Sequence, residues 1–507
     1  MKASVTSARD TVDLFLAAAK TQRLRPAVRT GSQFVSYAQL EERARRVAHA
    51  VAQRQGPRVL IALPQSADAY AAMLGVAMGG GYYAPVNPAS APEKIRRIVR
   101  SFEPHFVIAA ADGGEALLAD APAADLLTPQ QINQSPRLDG RGLRHELAYV
   151  IFTSGSTGEP KGVVISRAAL DHYVDWLVDH IGVAPTDIVS QHPSIAFDLS
   201  VMDIFAALCC GAALCPLASP GDRLMPARVI ARERITVWIS VPSVISLMVQ
   251  ARQADAEHLA TLRLLAICGE PQLPEHLQAI FSACPDARVL NTYGPTETTV
   301  SVTSLALSAE TYPQYGSRTV AIGPAIPGMD IRLLGGANPD EGEIVIRGPQ
   351  LANGYWRDRE QTDRAFRTIV VDGRPMRAYF TGDWAERVNG QVYFRRRIDS
   401  QVKVKGLRLE LDEIAAAIRS LGFAEACVTM RRDEIVAVIE GASSDLDEAA
   451  LRRALAMKLE THALPARCIG VASLPRNEND KIDRLAVEQL LDGLAGDQAA
   501  DQGGSRT

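Results

Sequence analysis

The chain has 507 residues, 47% hydrophobic and 22% charged, with a formal net charge of −4. That balance is ordinary for a globular protein and excludes disorder, collagen and coiled coil as overall descriptions. So weak an acidity gathers no phosphate backbones, so nucleic acid is not expected as a partner. At roughly 150 residues per domain the length implies about three domain-sized units.

Arg9, Asp10 and Asp13 interrupt the opening residues, so no secretory signal is expected and a cytoplasmic location is. Seven cysteines (209, 210, 215, 268, 284, 427 and 468) form no C-x-x-C pair, which argues against a disulfide framework or zinc site. Only eight of the 54 basic residues are lysine (2, 20, 94, 161, 403, 405, 458 and 481), leaving 54 − 8 = 46 arginines. A lysine that survives such a bias is a candidate for a place that needs a compact point charge.

In chain order, strands are expected at 58–63, 105–109, 147–152, 237–240, 264–268 and 288–291. Helices fall between them, among them 167–180, 243–252 and 274–282. Strands alternating with helices predict parallel sheets covered by helices, with ligands at the carboxyl ends of the strands. The apolar stretches 69–86 and 204–217 are too broken or too short to span a bilayer and are expected to be buried core. After residue 350 a turn-rich stretch holds strands at 391–394 and 401–405. A helix at 410–420, strands at 426–430 and 435–439 and a helix at 447–462 follow, the pattern of a small α+β domain. The tail 496–507 has the composition of a disordered segment.

Four motifs carry chemistry. YVIFTSGSTGEPKGVV (149–164) runs an apolar strand into a loop of Thr153, Ser154, Gly155, Ser156, Thr157 and Gly158, followed by Lys161. Glycines let the backbone approach closely, and hydroxyls with amide N–H groups can wrap phosphate oxygens. No Gly-Lys-Ser/Thr closes this loop, so it is not a Walker A motif. NTYGPTETTV (291–300) offers Tyr293 as a stacking face and Glu297 as a hard carboxylate. YFTGDW (379–384) holds Asp383, an acceptor for ribose hydroxyls, and RIDSQVKVKGLRLE (397–410) spans the expected domain boundary.

Together, in this order, the four motifs resemble the adenylate-forming superfamily of acyl-CoA synthetases, amino-acid adenylation domains and luciferase, over roughly residues 10–490. The resemblance implies a mixed α/β and α+β fold. It puts a large N-terminal core at 1–397, a small mobile C-terminal domain at 398–492 and a tail at 493–507. It further implies that ATP and Mg²⁺ are used. The 153–158 loop and Lys161 would face phosphates. Asn291, Thr292, Tyr293 and Thr296 would line the adenine side, Glu297 would bind Mg²⁺, and Asp383 and Arg397 would hold the ribose. Asp399 falls at the hinge, Gly406 at the phosphopantetheine passage, and Lys481 at the lysine that bridges carboxylate and α-phosphate. Two departures from the family pattern are Arg396 and Asp480, each standing where glycine is usual.

Within IAFDLSVMDIF (195–205), Asp198 matches the aspartate that pairs with an amino-acid ammonium in adenylation enzymes. A buried carboxylate without a partner is costly, so it implies a cationic ligand. The other reading of Asp198 is a cap for the helix starting near Ser200. Further pocket positions implied are Leu199, Met202, Ser243, Ala266, Cys268, Thr292, Val300 and Ser301, uncharged and modest in size. This set is most similar to the D-alanine–carrier protein ligases. The expectation is therefore ATP-dependent activation of a small amino acid, D-alanine first, and transfer to a separate carrier protein's phosphopantetheine thiol, without membrane insertion. D-serine, L-alanine or glycine for a nonribosomal peptide-type pathway, or a small-acid CoA ligase, are the alternatives.

Overall fold

A computed structural model of the chain describes residues 8–155, 159–217, 219–316, 318–399, 401–404, 407–431, 434–442, 446–476, 482–484 and 486–492. The expected fold class is observed. Two large sheets dominate. The first runs Thr303–Leu307, Arg288–Tyr293, Leu264–Ile267, Val237–Ser240, Ile188–Gln191, Ala213–Pro216, Pro26–Thr30 and Gln33–Ser36 in spatial order, parallel except at its two edges. The second runs Gly354–Tyr355, Lys161–Ser166, Leu147–Thr153, Tyr82–Pro85, Arg58–Ala62, Phe106–Ala109 and Asp125–Leu127.

Central strands such as Val237–Ser240 and Leu264–Ile267 are buried at every residue, which is why they read as continuous apolar runs. One continuous core joins both sheets to the helices Tyr37–Val51, Ala67–Met78, Arg167–His180 and Leu199–Cys210. The stretches 69–86 and 204–217 are helix and strand buried in this core and in a second apolar cluster beside it, and no helix among the described residues is long and apolar enough to cross a membrane. Removing one buried leucine from such packing costs about 2–5 kcal/mol.

A third, five-stranded antiparallel sheet includes the long strand Arg374–Val388 and its partner Gln391–Arg397. Beyond it, residues 409–491 build their own apolar clusters around Glu425–Arg431, Glu434–Glu440 and Arg467–Val471, distinct from the core of the large sheets.

Most element ends fall within two residues of expectation, and two differences matter. The strand 288–291 continues to Tyr293, so Thr292 and Tyr293 are held in the sheet. The helix 447–462 is really Glu448–Ala456, followed by a 3₁₀ turn at Thr461–Ala463. Leu451, Leu455 and Leu459 keep helical spacing, but the backbone of Glu460 is extended and its carboxylate meets Lys94 instead. A tertiary contact overrides the local pattern there. The expected tail lies outside the described residues.

Candidate active site

The site lies where the ends of the parallel strands meet the five-stranded sheet. Thr153 ends the strand Leu147–Thr153 and pairs with Lys161 across the hairpin, and Ser154 and Gly155 open the connecting loop. A side chain at Gly155 would stand 2.2 Å from the Glu159 carbonyl, so this turn admits only glycine. Ser156, Thr157 and Gly158 lie outside the described residues, as do Gly406, Asp480 and Lys481.

Glu297, in the 3₁₀ turn Thr296–Thr298, is fully buried. Lys161 Nζ stands 3.5 Å from its Oε1 and 4.4 Å from the centre of the Tyr355 ring. Tyr355 Oη donates to the same oxygen at 2.8 Å. A buried carboxylate is tolerable when neutralised in this way. Tyr355 ends the stretch GEIVIRGPQLANGY (342–355), but nothing local marked it as a partner of Glu297.

The nucleoside positions form one hydrogen-bonded chain. Tyr293 Oη donates to Asp383 Oδ2 at 2.6 Å, and Arg397 Nη1 donates to Asp383 Oδ1 at 2.8 Å. Arg397 also binds Asp399, the Thr381 carbonyl and Gln401 Oε1. Each Asp383 oxygen keeps a second lone pair for a further donor. Gly382, at φ +72°, would place a Cβ 2.8 Å from the Arg397 guanidinium, so the turn that aims Arg397 depends on glycine. Asn291 is buried beside this chain, its Nδ2 donating to the Ala321 carbonyl at 2.8 Å. Arg396, where the family has glycine, sits opposite Trp384 with its guanidinium 5.4 Å from the indole, so the strand absorbs it.

A cavity of about 610 Å³ adjoins this chain, lined by Asp198, Leu199, Thr296, Val300, Cys268 and Lys403 among others. Asp198 precedes the helix Leu199–Cys210 but makes no capping bond, so the cap reading fails. Burial pushes its carboxyl up to about 6, against a hydrogen bond from Thr296 and the nearby Lys403. Val300 is a β-branched residue at φ +70°, a strained conformation that tends to persist at functional sites. Cys268 Sγ lies 3.9 Å from the Val300 carbonyl, and burial pushes the thiol up to about 11.

Five expected wall residues, Met202, Ser243, Ala266, Thr292 and Ser301, do not line this cavity. Thr292 stands behind Cys268 and donates to the Ile267 carbonyl, while Ser301 meets the Tyr173 hydroxyl at 3.5 Å. For these two, side-chain contacts turn away from the cavity although their sequence positions lie near it. The expectation of a single charge also needs correction, because Lys403 reaches the lining from the strand Gln401–Val404. It was one of the eight lysines, the only local signal it carried.

A larger cavity, about 1310 Å³, reaches Thr153 and Ser154 from the side of Pro85, His192 and Phe197. Among the described residues no cluster of three or more His, Cys, Asp or Glu side chains could hold a metal on its own. Mg²⁺ needs no such cage where a nucleotide supplies phosphate oxygens, so one carboxylate at Glu297 fits it.

Residues 15–356 match the AMP-binding enzyme family. A D-alanine–D-alanyl carrier protein ligase of Staphylococcus aureus (strain MRSA252) is 30% identical, over 92% of this chain and 96% of its own. The solved adenylation domain AlmE of Vibrio cholerae, in complex with glycyl-adenosine-5'-phosphate, superposes with a TM-score of 0.80 at 26% identity, covering 97% of this chain and 99% of that one. IdnL1 superposes at 0.74 with 28% identity, over 93% and 100% of the two chains.

Proposed function

The chain belongs to the AMP-binding enzyme family, and on that premise we propose that it activates a small amino acid as aminoacyl-adenylate and loads it onto a carrier protein's phosphopantetheine thiol. The observation that carries this reading is Asp198, a buried carboxylate with no capping role, facing a small cavity beside Cys268. A substrate ammonium completes it. The S. aureus relative, named for D-alanine, makes D-alanine the first substrate to test.

In this reading the substrate carboxylate attacks the α-phosphate, pyrophosphate leaves, and the acceptor thiolate then displaces AMP. Anion meets anion in the first step, so fixed positive charge must sit where negative charge gathers. Lys481 supplies it. Thr153–Gly158 and Lys161 surround the phosphates, Asn291 and Tyr293 hold adenine, and Asp383 with Arg397 holds the ribose. Glu297 would hold Mg²⁺, which neutralises phosphate charge when bound, and Lys161 must then exchange this carboxylate for a phosphate oxygen. The larger cavity would give the thiol arm a route to Thr153, and the family resemblance assigns Gly406 to the arm's passage.

Residues 1–397 form the core and 398–492 a unit that turns about Asp399 between the two steps. All seven cysteines are free thiols, which suits a reducing cytoplasm. The test is Lys481→Ala. Pyrophosphate exchange with D-alanine should fall at least 10²–10³-fold, the loss typical of one oxyanion contact, while ATP binding and transfer from preformed adenylate persist. Near-normal exchange would remove Lys481 from the mechanism, and transfer to free CoA alone would select the CoA-ligase reading.

A further inference from the structure

One retained lysine, Lys94, lines the larger cavity together with Glu460 and has been given no role above. Lys94 stands on the helix Pro92–Phe102, whose Ile95, Ile98, Val99 and Phe102 are buried in the large body. Its Nζ lies 3.1 Å from Oε1 of Glu460, 366 residues away, beyond the expected hinge. The two side chains are only 23% and 19% exposed, so solvent screens the pair less than a surface bridge.

The corner around them is acidic. Glu413, at the start of the helix Leu411–Arg419, is half-buried near Lys94, Arg97, Glu410 and Glu460, and desolvation pushes its carboxyl up to about 7. Burial works against the charge of Glu460, but Lys94 and a hydrogen bond with Ser90 outweigh it and hold that carboxyl low. Arg97 also acts on Glu413 and His462 on Glu460, and Lys94 is the cation bonded directly to Glu460 across the seam. In the same arrangement the strand Gln401–Val404 sets Lys403 against the amino-acid cavity, and Ile482, beside the 477–481 segment, packs on Leu474 and Val487.

We propose that Lys94 is a positioning residue for the thioester-forming step: its bond to Glu460 holds the C-terminal unit in the orientation that closes the strand of Lys403 over the pocket. The proposal rests on the two-step reading above. For the adenylating step the pair must part, and a lysine on a flexible stem releases a carboxylate more readily than a bidentate arginine.

Lys94→Glu, Glu460→Lys and the double exchange test this with three readings. The first two are pyrophosphate exchange and single-turnover transfer from preformed adenylate. The third is the distance between encoded spin labels at Arg364 and Arg453, both exposed. Each single variant should slow transfer about tenfold, the size of a partly desolvated ion pair. Exchange should hold and the distance distribution should broaden. The double exchange should restore both transfer and distance. Unchanged transfer and distance in the single variants would overturn the proposal. So would a double variant as slow as the singles, which would mean that Lys94 meets the acceptor itself. The distances need no substrate, so they test the tether even if the chain activates no amino acid.

Discussion

Two acids withdrawn from water, Asp198 buried in the amino-acid cavity and Glu460 half-buried at the seam between the large body and the 409–491 unit, face opposite circumstances. Burial, helped by the charge of Glu297, leaves Asp198 raised to about 6, because Thr296 and Lys403 only partly offset it. Glu460 is also desolvated, yet Lys94 bonds it directly and holds it below the usual carboxylate range. The difference lies in where the cation comes from. At the seam the chain supplies it; in the cavity space is left for a ligand to bring it.

If that contrast is right, Asp198→Asn should do the greatest harm. The amino-acid KM should rise about 10²-fold with ATP affinity spared, since neutralising one side of a buried ion pair commonly costs several kcal/mol. The sign with pH follows from the raised carboxyl. Below about 6 a proton competes with the substrate ammonium, so amino-acid affinity should fall as the pH drops, by up to tenfold per unit. Asp198→Asn should flatten that profile, and a profile unchanged by the substitution would separate Asp198 from the substrate. A smaller effect is expected at Cys268, which touches the cavity but carries no charge there. Cys268→Ala should raise kcat/KM for L-alanine or larger side chains about tenfold and change D-alanine little, a misplaced methyl being worth about 1–3 kcal/mol. An unaltered preference would place chirality elsewhere on the wall.

Legibility in the sequence divided along the same line. Fully buried strands such as Val237–Ser240 declared themselves by unbroken apolar runs, and the Thr153 loop by its glycines and hydroxyls. Asp198 was visible as a residue but its role was not, because spacing cannot tell a cap from a ligand; the absent capping bond can. Partnerships across the fold stayed hidden. Tyr355 with Glu297 and Lys94 with Glu460 are bonded pairs, and Lys403 and Asp198 line one cavity; each joins elements far apart in the chain, and no local pattern encodes such a meeting. The overlong helix at 447–462 has the same origin, since its leucine spacing said helix while Glu460 answered to a distant lysine. The five expected wall residues outside the lining show a further limit: position along an element fixes neighbourhood, whereas cavity lining depends on where each side chain points.

The central claim, that Asp198 reads a substrate ammonium, is tested most directly by pyrophosphate exchange across D-alanine, L-alanine, D-serine, glycine and propionate. Propionate differs from alanine only in lacking the amine. D-alanine should support the fastest exchange, the other amino acids slower exchange, and propionate almost none. Exchange with propionate equal to that with alanine would contradict the claim and leave Asp198 without its ligand.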